Sequence, residues 1–386
     1  MPMEMEGRNG PRWPTLCAIA LTLLVGAPLT MWSAAGTGKL PFDRTVKAPV
    51  VRMADLAAQG TPVAPLGEPA EEAAVTEVAE VRLDAPTLLT MFRSQDYRIE
   101  AVRKGDLPVP RLRLASMPRD MADMVSPDER KDLFLKTMLP LILMANERIE
   151  RDRTRLQRLH ALMEAGYTLS PRDQIWLSRL AGRYGIENNG IVDTKLLLRR
   201  VDIVPVSLTL AQAAEESGWG TSRFAQQGNA LFGQLTWSAQ HSGIVPRNRQ
   251  AGERHRFRSF EDLSSSVQSY MHNLNTHRAY LDFRRQRASM RSKGQPVDGY
   301  KLAAHIERYS ERGQDYIAAL RNLIRVNDLR DFDRAVLLRD GKEMVLRVTP
   351  ADPDAPAEEM EPMMVSLPPA SGGEDTAPVE TADGAY

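Results

Sequence analysis

The sequence predicts a mainly α-helical (α+β) protein carrying one small β-hairpin lobe, and three observations support this. Two capping signals, Ser126-Pro127-Asp128-Glu129 and Ser170-Pro171-Arg172-Asp173, stand just before long stretches in which apolar residues recur near the helical period. Strand-like alternation is concentrated at residues 233–260, where Gly233, Gly243, Pro246 and Gly252 punctuate short runs and His255-Arg256-Phe257-Arg258 alternates. Both ends of the chain differ in composition from this middle part, which predicts an N-terminal membrane segment and disordered tails.

Taken in order, residues 1–14 are polar and carry Arg8 and Arg12, and residues 15–35 run almost wholly apolar, TLCAIALTLLVGAPLTMWSAA. About twenty such residues suffice to cross a bilayer. Basic residues ahead of the run predict a cytoplasmic N-terminus with the rest of the chain outside, contacting the membrane through this segment. The small residues around Ser33-Ala34-Ala35 allow a cleaved signal peptide instead, although the length of the run favours a retained anchor. Residues 36–84, rich in Ala, Pro, Val and Glu, read as a flexible linker.

Residues 85–190 read as a helical N-terminal extension. Its longest helix opens at Ser126, is expected to kink at Pro140, and passes through Leu133, Met138, Ile142, Ile149, Leu156 and Leu159. A second helix carries Ile175, Trp176 and Leu180, with Trp176 expected in the core. Residues 191–330 read as a second folded segment, with later helices at 264–274, 298–309 and 316–326. Residues 331–349 suggest a short hairpin, 335–338 and 344–348 flanking Asp340-Gly341. Residues 350–386 hold nine acids and no Lys or Arg, and read as a disordered acidic tail.

The chain balances 50 Lys+Arg against 50 Asp+Glu, but residues 85–349 hold 43 against 31. A basic folded part suits an anionic polymer or surface. No nucleic-acid motif accompanies it, so cell wall or membrane is the expected partner. The single Cys17 cannot form an internal disulfide. His241, His255, His272, His277 and His305 show no H-E-x-x-H spacing and no cysteine support, so no metal and no cofactor is expected.

The chemistry concentrates at residues 207–237, SLTLAQAAEESGWGTSRFAQQGNALFGQLTW. Its first half is an apolar helix entered after Pro205 and stopped at Gly218. Glu215 and Glu216 lie on its last turn. A carboxyl desolvated there has a raised pKa, as a general acid near neutral pH requires. Trp219 and Trp237 offer flat faces for a sugar ring.

AQAAEESGWG followed by GNALFG resembles the signature of the glucosaminidase family of lysozyme-like peptidoglycan hydrolases. KTMLPLILMANERIERDRTRL, VQSYMHNLNTHRAYLDFRRQRA and YSERGQDYIAALRNLIRVNDL are similar to its bacterial Bax branch, so the resemblance covers roughly residues 125–330. It implies a lysozyme-like helical domain with a β-lobe, and it aligns the family's acid with Glu216, leaving Glu215 facing solvent. It also implies a second carboxylate from the β-lobe, for which Glu253 is the candidate, and a cleft tyrosine at Tyr309 whose hydroxyl orients substrate. Substrate contacts are expected from Trp219 and Trp237, and from Asn229, Phe232 and Tyr270 in the resembling stretches. Gln234-Leu235 departs from the apolar-Lys pair of many relatives. The implied reaction is endo-β-N-acetylglucosaminidase cleavage of peptidoglycan glycan strands. A lytic transglycosylase and an inactive wall-binding scaffold are the alternatives.

Overall fold

The computed structural model describes residues 77–81, 84–186, 191–238, 240–246, 254–339 and 343–348. The expected membrane segment, the acidic tail and the turn at Asp340-Gly341 lie outside these residues. Among the described residues no helix is long and apolar enough to cross a membrane.

In chain order the elements are β1 (Glu77–Val81), α1 (Ala85–Ser94), α2 (Ile99–Lys104), β2 (Leu112–Leu114), α3 (Pro127–Glu164), α4 (Pro171–Arg183), α5 (Thr194–Arg200) and α6 (Val206–Ser217). They continue with α7 (Arg223–Gly228), β3 (Leu235–Thr236), β4 (Gly243–Ile244), β5 (Arg256–Arg258), α8 (Leu263–Thr276) and α9 (Leu281–Ser292). The last are α10 (Gly299–Leu302), α11 (Gln314–Val326) and β6 (Met344–Val348). Local chemistry starts many of the helices. Asp84, Ser126, Ser170, Asp193, Ser222, Asp262 and Asp298 each accept a hydrogen bond from the backbone N–H three residues on, satisfying a donor the helix leaves free.

The expected long helix is α3. Its 38 residues span about 57 Å. Pro140 lies inside it without interrupting it. Every residue from 133 to 146 is buried, so this half is surrounded by protein. The remainder presents Leu156 and Leu159 to a second, smaller core shared with Leu177 and Leu180 of α4 and Leu197 of α5. Trp176 is only half-buried at the edge of that cluster, with Arg155 4.5 Å over its ring.

Both cores straddle residue 190. The main one joins Phe92, Phe134 and Met138 to Leu208, Leu231, Tyr270 and Leu320. The expected division into an extension at 85–190 and a domain at 191–330 therefore corresponds to no gap in packing. α6 sits in the middle, packed by α3, α10, α11 and the 3-10 turn at Leu329–Arg334.

Two expectations at the ends of the folded part are corrected. Residues 344–348 form no hairpin with 335–338. They are the centre strand of a three-stranded parallel sheet, pairing Glu77↔Met344 through Val81↔Val348 on one side and Leu112↔Met344 through Leu114↔Leu346 on the other. Leu337 bridges Val109 instead. Burial selects this arrangement: Met344 and Leu346 reach the core beside Leu112 and Leu114, which an isolated hairpin would not allow. The linker expected over 36–84 ends earlier, because residues 77–81 are β1.

The β-lobe forms where expected, as an antiparallel sheet in the order β3-β5-β4. The helix expected at 298–309 is instead α10 followed by two 3-10 turns, Ala303–His305 and Glu307–Tyr309.

Helix α9 was not expected, since its inward face is Phe283, Arg284, Arg287 and Met290. Both arginines are buried, and their guanidinium groups serve as caps for other helices. Arg287 donates to the Asp202 and Ile203 carbonyls just past α5, at 3.1 and 2.7 Å, and Arg284 to the Leu274 and His277 carbonyls that end α8, both at 2.9 Å. Asp202, 2% exposed, holds Arg291 at 2.7 Å, with Arg153 and Arg287 close by. Part of the positive excess is thus internal and never meets a ligand. Arg287→Met removes a donor from the Arg199, Asp202 and Ile203 carbonyls, of which, among the described residues, only that of Asp202 keeps another, Asn275 at 2.9 Å, and it leaves the Asp202 carboxylate with one cation fewer. The expected loss is about 3–5 kcal/mol in urea unfolding; a loss below about 1 kcal/mol would contradict this account.

Candidate active site

Helix α6 is held at both ends by groups outside it. Pro205 offers no side chain to cap it, and the missing acceptor comes from Asp333, which takes the Ser207 N–H at 2.8 Å and the Ser207 hydroxyl at 2.7 Å. Burial raises Asp333 to about 6. α10 starts so close to α6 that a Cβ on Gly299 would stand 2.2 Å from Ser207 Oγ. At the far end the helix stops at Gly218 in the left-handed region.

Three successive left-handed residues follow: Gly218 (φ 58°), Trp219 (φ 57°) and Gly220 (φ 81°). For a tryptophan this costs about 1–2 kcal/mol, so the surroundings must enforce it. α3 supplies the enforcement. The Trp219 ring meets Phe134 edge-on at 5.4 Å, with Lys131 Nζ 5.4 Å from its centroid. A Cβ on Gly220 would touch Met117, Met121 and Phe134. Gln226 of α7 donates to the Pro118 and Gly220 carbonyls, tying the turn to the segment before α3.

Gln212 and Glu216 are four apart and share one face of α6. Tyr316 of α11 donates its hydroxyl to Glu216 Oε1 at 2.8 Å. Gln212 Nε2 donates to that same hydroxyl oxygen at 3.0 Å, and Tyr270 donates to Gln212 Oε1 at 2.5 Å. The polar chain Tyr270–Gln212–Tyr316–Glu216 thus threads the core and ends on one carboxyl. On the other side of that carboxyl lies Gly233, with φ +60°, where an added Cβ would be 2.9 Å from Glu216 Oε2. Desolvation dominates the electrostatics and, with Glu215 alongside, raises Glu216 to about 7; the Tyr316 bond and Arg312 act the other way. The residue as a whole nevertheless keeps partial exposure at the end of α6.

Glu215, expected in open solvent, is half-buried and paired with Arg312 at 2.6 Å. Tyr309 reaches the site, its ring parallel to Tyr316 with centroids 5.9 Å apart. Its hydroxyl, expected to orient substrate, donates to the Phe232 carbonyl at 2.7 Å and so steadies the turn bearing Gly233. The Phe232 and Tyr270 rings are buried and stacked at 4.0 Å, out of reach of a substrate. Asn229 caps α7 in the left-handed region and donates to the Phe260 and Glu261 carbonyls at 3.2 Å. The Trp219 ring is occupied against α3. Of the five expected substrate contacts, only Trp237 offers a largely free ring, 55% exposed on the lobe. Glu253 lies outside the described residues.

Sequence reasoning missed Tyr316, Gln212 and Arg312. Gln212 stands in the quoted AQAAEES stretch four residues, about one helical turn, before Glu216, and that spacing was the available signal. Tyr316 falls on the apolar face of α11 beside Ile317 and Leu320, where periodicity reads it as core.

Residues 193–329 match the family model described as mannosyl-glycoprotein endo-beta-N-acetylglucosaminidase. The chain is 33% identical over 227 residues to Protein bax of Escherichia coli (strain K12), covering 58% of this chain and 74% of that protein. The catalytic domain of the autolysin Auto from Listeria monocytogenes aligns over 46% of this chain and 96% of its own, at 16% identity and a TM-score of 0.26.

A raised carboxyl pKa has a consequence for stability. Between pH 4.5 and about 7 the folded protein keeps the Glu216 proton that the unfolded chain gives up, so stability falls as pH rises through that window. Glu216→Gln never ionises. It is expected to stabilise the fold by up to about 3 kcal/mol above pH 7 and by almost nothing at pH 4. Urea unfolding of both proteins at pH 4 and pH 8 measures the difference; an equal gain at both values would refute the assignment.

Proposed function

The chain belongs to the glucosaminidase family, in the branch of Protein bax, and from that premise we propose that it cuts peptidoglycan glycan strands as an endo-β-N-acetylglucosaminidase, with Glu216 as general acid. The observation that carries this reading is a single carboxyl largely removed from water, raised to about 7, bonded on one oxygen by Tyr316 and bordered on the other by Gly233. Because Tyr316 donates to Oε1, the transferable proton belongs on Oε2. That oxygen faces Gly233, where any side chain would crowd it, since an added Cβ would stand 2.9 Å away.

Once the proton has moved to the leaving oxygen, Glu216 is a carboxylate, stabilised by the Tyr316 hydroxyl and by the nearby Arg312 charge. Attack on the other face of the sugar needs a second group. The β-lobe supplies it through Glu253, or the substrate's own acetamido group does. The exposed face of Trp237 suits packing against a sugar ring. One observation favours a second reading, a lytic transglycosylase, which needs only one acid: the neighbouring Glu215 is committed to Arg312. The ends released separate the two, a reducing N-acetylglucosamine against an anhydro-muramic residue.

Glu216→Gln keeps the shape but removes the proton, and turnover on purified sacculi is expected to fall about 10²- to 10⁴-fold. Glu215→Gln, which does not touch the reacting oxygen, should cost far less. Wild-type turnover in Glu216→Gln would overturn the general-acid role. Activity should also decline as pH rises through about 7, as the acid loses its proton.

This substrate lies outside the cytoplasmic membrane, so the reading includes export, with residues 15–35 behind Arg8 and Arg12 as anchor or cleaved signal. A reporter enzyme that works only outside the cytoplasm, fused after residue 84, should be active. An intact but inactive fusion would count against export.

A further inference from the structure

Away from Glu216, the outer face of α11 and the ring of Tyr300 enclose an open pocket of about 340 Å³. Ile317 forms an apolar part of its wall, and Gln314, Arg321, Asn322 and Arg325 supply polar groups. Glu216 is not part of the lining. The Arg321 guanidinium lies over the Tyr300 ring at 5.0 Å and its Nε donates to the Tyr300 carbonyl at 3.1 Å. Those two contacts fix its plane while engaging neither Nη. Arg325 donates to Asn322 Oδ1 at 2.8 Å, which occupies the amide's acceptor and leaves its N–H₂ as donor.

The polar lining therefore presents mostly donors and two positive charges. Among the described residues neither arginine makes an ion pair with a carboxylate, whereas Arg312 and Arg330, just before and after them in the chain, each hold one. The nearby Asp298 is taken by Arg330 at 2.8 Å. A ligand for such a pocket carries planar acceptors and negative charge, and an arginine fork matches a carboxylate in both respects.

α11 also connects the pocket to the site. Tyr316, on its first turn, bonds Glu216 from the inner side of the helix. Arg321 and Arg325 lie on its outer side, about 8 and 14 Å further along the axis, a separation that a stem of several residues at about 3.3 Å each can span. We propose that this pocket is a carboxylate-binding subsite that takes the acidic peptide stem of a glycan strand held at Glu216, an assignment that rests on the peptidoglycan reading above. The subsite would favour stem-bearing glycan over bare glycan through binding, with no part in bond cleavage.

The test is calorimetric titration of the full chain with a soluble stem peptide, in its free-acid form and with its carboxylates amidated. The free acid should bind about tenfold tighter or more. Arg325→Gln, an exposed position with a single side-chain partner, should lose that advantage, and Arg321→Lys, which keeps the charge without the fork, should lose part of it. Equal binding of the two peptides by the wild type, or the advantage kept in Arg325→Gln with Arg321→Gln, overturns the proposal. Inorganic phosphate competing as well as the acid peptide would also overturn it, in favour of a general anion site. A parallel assay compares turnover of sacculi glycan with and without stems: Arg325→Gln should lose the preference for stem-bearing glycan, with kcat on bare glycan unchanged. If the wild type cleaves neither glycan while the peptide titration keeps its arginine dependence, the hydrolase reading fails and the subsite stands.

Discussion

The constraint on which the structure depends is a single carboxyl held away from most of its water at the end of an apolar helix. Ten of the twelve α6 residues are buried, so the fold gains little from a charge there and must position it with neighbours. The Tyr316 hydroxyl is the one described hydrogen-bond partner of that carboxyl, and Tyr316 is aligned in turn by Gln212 and Tyr270. Fixing the other end of α6 falls to another buried acid, Asp333, drawn from far along the chain. The architecture of α3, α10 and α11 can be understood as the packing needed to hold one side chain in an environment that water would otherwise relax.

The segment matched by the family model, 193–329, excludes α3, yet α3 is what holds the turn after Glu216. A left-handed tryptophan between two left-handed glycines is unfavourable by itself. It persists because Phe134, Met117 and Met121 leave no alternative volume for residues 219 and 220. The segment before residue 190 is accordingly part of the site's scaffold, and its long apolar run is explained by burial on every side.

What was legible in the sequence was what is decided locally. Ser126 and Ser170 announce their helices because the N–H they accept lies three residues away. Glu215 and Glu216 draw attention together, as acids on the last turn of an apolar helix followed by glycines, and the resemblance is what selects Glu216 between them. Distance hid the remainder. The strand at 344–348 has partners near residues 79 and 113, and no neighbouring residue reports them. α9 was obscured because Arg284 and Arg287 count as polar in any periodicity, although carbonyls of other helices make them interior groups. Asn229, Phe232 and Tyr270 were found by resemblance as site residues, and the structure gives them the task of shaping the walls. A motif marks what a site requires without separating contact from support.

The placement of β6 between β1 and β2 bears on how the protein is made. β1 and β2 do not pair with each other, so the sheet has no hydrogen-bonded core until its middle strand arrives. On the ribosome that strand is synthesised after nearly all of the helical residues, and β1 waits throughout with both edges open. Helices with local caps can form as they emerge, but closure of the sheet is a late, long-range event with a slow entropic step. A chain halted shortly before residue 344 would therefore carry an almost complete helical body with two unpaired edge strands, the kind of species that proteases and chaperones recognise.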